Sequence, residues 1–221
     1  MPRESQDERR RRAGRIAKSL AKAYPDARTA LRFASPFELL VATILSAQCT
    51  DKKVNEVTAV LFHQYGTPAK LADADPAAIE AIVHPTGFYR QKTKSIQSAA
   101  RDLVERFGGK VPGKLDELVE LRGVARKTAN VVLGSAFGIP GIAVDTHMLR
   151  VNRRLGLTAS DDPEQVERDL MALLPEREWI DWTQRVIHHG RVYCVAQRPR
   201  CDACPLAKDC PYPKQIARRK P

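Results

Sequence analysis

Lys127 and Asp145 are the residues of this chain whose types and spacing best suit covalent chemistry. Lys127 stands in LRGVARKTANVVL (residues 121–133), and Asp145 follows 18 positions later in IAVDTH (residues 142–147). The first stretch reads as a glycine-bearing turn between two helical patterns, with the lysine on the first turn of the second helix. Such a turn can offer backbone N–H groups to a phosphate, because a helix N-terminus carries unpaired donors and the positive end of its dipole. The same dipole end disfavours a protonated lysine beside it. A phosphate grip and a candidate amine nucleophile are therefore joined in one segment. On spacing alone the plainer reading of Lys127, a solvated lysine on a helix's first turn, prevails. Asp145 has a plain reading too, because aspartate before a helix is among the best N-caps. Capping and chemistry are compatible there, since the cap would fix the carboxylate in place.

A second constellation lies near the C-terminus. Cys194, Cys201, Cys204 and Cys210 form C-x6-C-x2-C-x5-C within 17 residues. The N-terminus, MPRESQDERRRRAGR, has no apolar segment of the kind a secretory signal needs. Four cysteines so close together then read as metal ligands rather than disulfides. The segment is poor in core-forming residues, so a metal would supply its folding energy. Four thiolates suit a structural zinc or a [4Fe–4S] cluster, and spacing leaves both open. The loop CVAQRPRC, closed by the first two cysteines, would hold Arg198 and Arg200 outward as a basic surface for a polyanion. Cys49 is assigned to the apolar helix near residue 45 as an ordinary buried small residue.

The elements that must position these groups are helical. Ser35-Pro36-Phe37-Glu38 predicts a cap, a first-turn proline and a glutamate reaching back, opening a buried helix over FELLVATILSAQ. Further helices are predicted from Thr50 to Tyr65, from Asp75-Pro76, from about Gln91 to Phe107, and over Leu115–Leu121. The last group is Arg126–Phe137, Asp145–Leu155, Asp162-Pro163 to Leu174, and Glu178–Tyr193. No strand pattern, repeat or low-complexity linker is evident, and the fold class is all-α. The first residues read as a disordered basic arm leading into a helix near Ile16. Hydrophobic residues make up 43% of the 221, enough for a substantial core. No apolar run reaches the roughly 18 residues of a membrane span. The net charge of +11 suits a polyanionic partner.

Together these residues resemble the endonuclease III family, the bifunctional DNA glycosylases of the helix-hairpin-helix superfamily. The resemblance runs from about residue 16 to residue 213. It rests on LSAQCTD (45–51), TGFYRQK (86–92), LRGVARKTANVVL, VDTH (144–147) and the cysteine set, in the family's order. It implies two helical lobes with a DNA cleft between them. One is a six-helix barrel module with the helix-hairpin-helix motif, over residues 29–139. The other joins an N-terminal arm and helix, 1–28, to residues 140–221 and carries a [4Fe–4S] cluster on the four cysteines. The implied protein is a monomer of the bacterial cytoplasm, at the nucleoid, acting on damaged double-stranded DNA. It would remove oxidised pyrimidines and cleave the abasic site.

The resemblance also implies roles. A base inside a duplex is out of reach, so the damaged nucleotide must be swung out of the stack. Arg122, Gly123, Val124 and Ala125 would hold a phosphate, largely through backbone N–H groups. Gln48 would enter the void, and Phe88 would wedge the opposite strand. Their plain readings are a buried amide at a helix end and a core aromatic. Lys127 would attack the sugar C1′, expel the base and form a Schiff base that permits β-elimination. Asp145, facing it across the cleft mouth, would deprotonate or orient the amine. A free lysine is neutral only about once in a thousand at pH 7.4; burial, the helix N-terminus and Arg126 are expected to lower its pKa. His147 reads as structural, and His188 and His189 receive no role.

The chain departs from the family's usual L-P-G-V-G at the hairpin. Arg122 stands for the proline and Ala125 for a glycine, at a cost of roughly 1–2 kcal/mol if residue 125 is left-handed. This predicts a looser hairpin and weaker base excision, with abasic-site cleavage less affected. Phe88 replaces the family's usual leucine, which predicts altered damage and opposite-base preference. Two alternatives stand beside the main reading. One is a monofunctional adenine-mismatch glycosylase, disfavoured by Lys127 and by the absence of a glutamate in LSAQCTD. The other is a non-catalytic or lyase-only DNA-binding or redox-sensing protein of the same fold.

Overall fold

The computed structural model describes residues 4–213. Eleven α-helices and no strand lie among them. The chain divides into two compact units, Met1–Arg28 with Pro140–Pro221, and Thr29–Ile139.

Helix α1 (Gln6–Ala23) opens on a complete capping box. The Ser5 hydroxyl accepts from Glu8 N, and the Glu8 carboxylate accepts from Ser5 N at 2.8 Å. The arginine run of residues 9–12 is therefore helical, which corrects the expected disordered arm; residues 1–3 of that arm lie outside the described residues. Tertiary contacts fix the helix. Ala13, Ile16 and Leu20 are fully buried, and the Arg12 guanidinium donates to Glu4 and to the carbonyls of Leu155 and Asp209.

In the middle unit, α2 (Pro36–Leu45) is buried nearly all round. Ser35 Oγ caps it by accepting from Glu38 N at 3.2 Å. The Glu38 carboxylate reaches one residue further back than a capping box requires, accepting from Ala34 N at 2.6 Å. The helix stops at Leu45, so Cys49 lies in the following turn rather than inside the helix. Next come α3 (Asp51–Tyr65), α4 (Pro68–Asp73), α5 (Pro76–Val83) and α6 (Tyr89–Phe107). Sequence reading leaves out α4, although Thr67-Pro68 carries the same cap-and-proline signal as Ser35-Pro36. Then α7 (Leu115–Val119) and α8 (Arg126–Val132) flank the hairpin, and α8 runs on into a π-turn (Leu133–Phe137) closed by left-handed Gly138. Helix α2 packs on α3, α6 and α8, while α4 and α5 pack on α6.

The other unit adds α9 (Thr146–Arg154), α10 (Pro163–Leu173) and α11 (Trp179–Val192), then one 3-10 turn, Ala207–Asp209, in the cysteine segment. Helix α11 packs on α9 and α1 around fully buried Val151, Trp182 and Val186.

Candidate functional site

Leu121 and Val124 anchor the turn between α7 and α8, both buried, with Val124 N donating to Leu121 O at 3.1 Å. Between them Arg122 and Gly123 are exposed. Gly123 sits at φ +81, and a Cβ there would lie 2.7 Å from Ser95 Cβ. Glycine is thus required twice, by conformation and by contact. Ala125 has φ −80 and ψ 164, ordinary extended backbone. The strain expected at Ala125 is absent, which removes that part of the case for a loosened hairpin and leaves the lost proline at residue 122. Ala125 supplies no capping oxygen to α8, so a phosphate oxygen would be a suitable acceptor for that first turn. Lys127 follows on the same turn and is exposed. The burial expected to act on it is not met.

Among the described residues, the non-glycine positions with positive φ are Gln48 (53), Phe88 (49) and Arg198 (53). The family resemblance expects Gln48 and Phe88 in the duplex, and Arg198 lies on the basic loop expected to face outward. A left-handed side-chain-bearing residue is unfavourable and persists only where its surroundings over-determine it, as functional sites do. Phe88 is 68% exposed, so it is not a core aromatic. Gln48 is exposed as well, so it is not a buried amide. The loop before Phe88 is firmly held. Thr86 Oγ1 donates to Val83 O at 2.8 Å, and Lys92 Nζ donates to Thr86 O at 2.7 Å.

In the other unit Asp145 is half-buried and caps α9, its Oδ1 accepting from Met148 N at 2.8 Å. His147 pairs with Arg150, whose guanidinium lies 3.0 Å from Nδ1. Burial holds the His147 ring below the usual histidine range, with the Asp145 carboxylate opposing. The structural reading of His147 fits these contacts.

The five cysteines are free, and Cys194, Cys201, Cys204 and Cys210 line one solvent-open pocket of about 370 Å³. Among the described residues no three His, Cys, Asp or Glu side chains converge on a single-ion position. The four thiols line this pocket together with Arg154, His189 and Tyr212. Groups suited to thiolate sulfur already face them: Arg154 lies 3.4 Å from Cys194 Sγ, and Leu206 N donates to Cys204 Sγ at 3.4 Å. Burial pushes the Cys210 thiol up to about 11 and raises Cys201 and Cys204 too. A bound metal would have to draw those protons off. Arg154 also donates to Val195 O and Ala196 O and covers the Tyr212 ring. Arg198 and Arg200 are exposed. Sequence reading missed His189. Its Nδ1 lies 3.0 Å from Tyr24 Oη and its Nε2 3.5 Å from Cys204 Sγ. Nothing local signals a pairing across 165 positions.

Known proteins resemble the chain along nearly its whole length. The family described as "HhH-GPD superfamily base excision DNA repair protein" matches residues 41–176. Endonuclease III of Synechocystis sp. (strain ATCC 27184 / PCC 6803 / Kazusa) is 51% identical, over 92% of this chain and 93% of that protein. A solved non-covalent endonuclease III–DNA complex aligns with TM-score 0.89 at 43% identity, over 95% of this chain and 99% of that one. A trapped endonuclease III–DNA covalent intermediate aligns with TM-score 0.89 at 43% identity, over 94% and 98%.

Proposed function

The chain belongs to the HhH-GPD superfamily of base excision DNA repair proteins, in its endonuclease III family, and from that membership we propose a bifunctional DNA glycosylase and abasic-site lyase. Its substrate is duplex DNA carrying an oxidised pyrimidine such as thymine glycol. The observation that carries this reading is Lys127, exposed on the first turn of α8 directly after the glycine hairpin.

The hairpin N–H groups and Arg122 bind a backbone phosphate, Phe88 wedges the opposite strand, and Gln48 fills the space the flipped nucleotide vacates. Bound DNA covers Lys127 and takes its amine out of water. The neutral amine attacks C1′, the glycosidic bond breaks, and the base departs with the bonding pair and gains a proton. Asp145 takes a proton from the amine and stabilises the cationic sugar. Ring opening gives the C1′ Schiff base. Loss of a C2′ proton expels the 3′ phosphate, and water releases the enzyme.

Cys194, Cys201, Cys204 and Cys210 would hold a [4Fe–4S] cluster, whose binding supplies folding energy to a segment with little core of its own. Arg198 and Arg200 on the CVAQRPRC loop meet DNA phosphates. Among the described residues no helix is long and apolar enough to cross a membrane, and we assign the work to the bacterial cytoplasm, at the nucleoid.

Borohydride trapping tests the chemistry. Wild-type protein should form a covalent adduct with abasic duplex, and Lys127→Gln should not. An untrappable wild type would overturn the lyase in favour of DNA binding alone. Iron and inorganic sulfide in the purified protein are expected; zinc in their place would overturn the cluster.

A further inference from the structure

We propose that Lys92 is a positioning residue that keeps Phe88 in the conformation from which it enters the duplex. The proposal rests on the reading of Phe88 as the strand wedge. Lys92 is only 5% exposed, on the first turn of α6. Its Nζ donates to Thr86 O at 2.7 Å, and its backbone N–H donates to Phe88 O at 3.0 Å. The second is the ordinary first-turn bond of α6, so the lysine side chain adds the hold on the loop just ahead of the wedge. Between the two bonds the backbone makes two successive left-handed steps, Gly87 at φ 71 and Phe88 at φ 49. The second is unfavourable for a phenylalanine and needs such anchoring.

The choice of lysine is informative. Burying an ammonium to hold a neutral carbonyl costs stability, whereas an apolar side chain of the same length would fill the space without that cost. Burial holds the amine below the usual lysine range, with Cys49 opposing. Cys49 is the neighbour of left-handed Gln48. A buried charge kept at the expense of stability marks a geometry selected for function.

The test compares Lys92→Met, Phe88→Ala and the double variant on a thymine glycol duplex, with trapping on an abasic single strand as the control. A single strand has no stack to open. Lys92→Met should melt at or above the wild-type temperature and yet excise about tenfold more slowly from the duplex, the scale of one charge-assisted hydrogen bond. Trapping on the single strand should be unchanged. In the Phe88→Ala background Lys92→Met should add no further loss, because the two act through one element. An additive loss overturns the proposal, as does an equal loss on single strand and duplex, or a fall in melting temperature that tracks the activity. A slow Phe88→Ala beside a normal Lys92→Met overturns the role of Lys92 alone. A normal Phe88→Ala overturns the wedge reading, and the role of Lys92 with it.

Discussion

Gly123 and Ser95 approach so closely that a methyl group on residue 123 would lie 2.7 Å from Ser95 Cβ and 2.9 Å from Ser95 Oγ. The contact ties the hairpin turn to α6, the same helix that begins at the Phe88 loop. Gly123→Ala therefore meets a steric penalty on top of the roughly 1–2 kcal/mol of a left-handed alanine. Urea unfolding should show a loss of about 2–4 kcal/mol. Adding Ser95→Gly should restore the steric part and leave the conformational part. A neutral Gly123→Ala would show that the turn relaxes freely.

Asp145 combines a cap with an assigned proton-transfer role, and two substitutions separate them. Asparagine caps as well as aspartate, so Asp145→Asn should fold within about 0.5 kcal/mol of wild type. Its excision rate should still fall by roughly 10²–10⁴, the usual scale of general acid–base catalysis. Asp145→Ala should lose about 1 kcal/mol of stability as well. Wild-type turnover in Asp145→Asn would leave the residue as a cap only.

Ala125 in extended backbone changes the expectation for the hairpin departures. Restoring glycine there relieves no strain and adds chain entropy to the unfolded state. Ala125→Gly should be destabilising by about 0.4–1 kcal/mol, and with Arg122→Pro it should bring no gain in base excision. Parallel rates on lesion and abasic duplexes check this; a clear gain in excision would show that the two departures weaken the hairpin.

His147 gives the unit containing α9 and α11 a pH dependence. Its folded pKa lies below the ordinary value of 6.5 because burial disfavours the imidazolium. Above 6.5 the ring is neutral whether folded or unfolded, and it contributes no slope. As pH falls below 6.5 the unfolded chain binds the proton first, so stability declines through the window down to the folded pKa. Protonating Nδ1 would also lose the Arg150 contact. Melting temperatures between pH 7 and pH 5 should fall for wild type and fall less for His147→Asn. Parallel curves for the two proteins would remove His147 as the cause.

Local signals were legible from the chain alone. The caps at Ser35, Thr50, Asp75, Asp145 and Asp162 each rest on a hydrogen bond spanning two or three residues, so neighbouring residue types suffice to reveal them. The all-α class follows from the same periodicity. The residues assigned to chemistry were legible as motifs, because order and spacing survive without coordinates. The conformation of residue 125 was not, since no neighbour dictates whether that position turns left-handed. Nor was the arginine-rich start of α1, where carbonyls of Leu155 and Asp209 decide what becomes of Arg12.

The sequence by itself determined most of the helices, though not α4 or the start of α1, together with the amine and carboxylate candidates and the four-cysteine set. Tertiary structure alone decided that Lys127 is exposed, that Phe88 and Gln48 stand out in left-handed turns, and that His189 links Tyr24 to Cys204. The division has one cause. A helix or a cap is the outcome of interactions a few residues apart, whereas exposure, backbone strain and long-range pairing depend on what the folded chain packs against each residue.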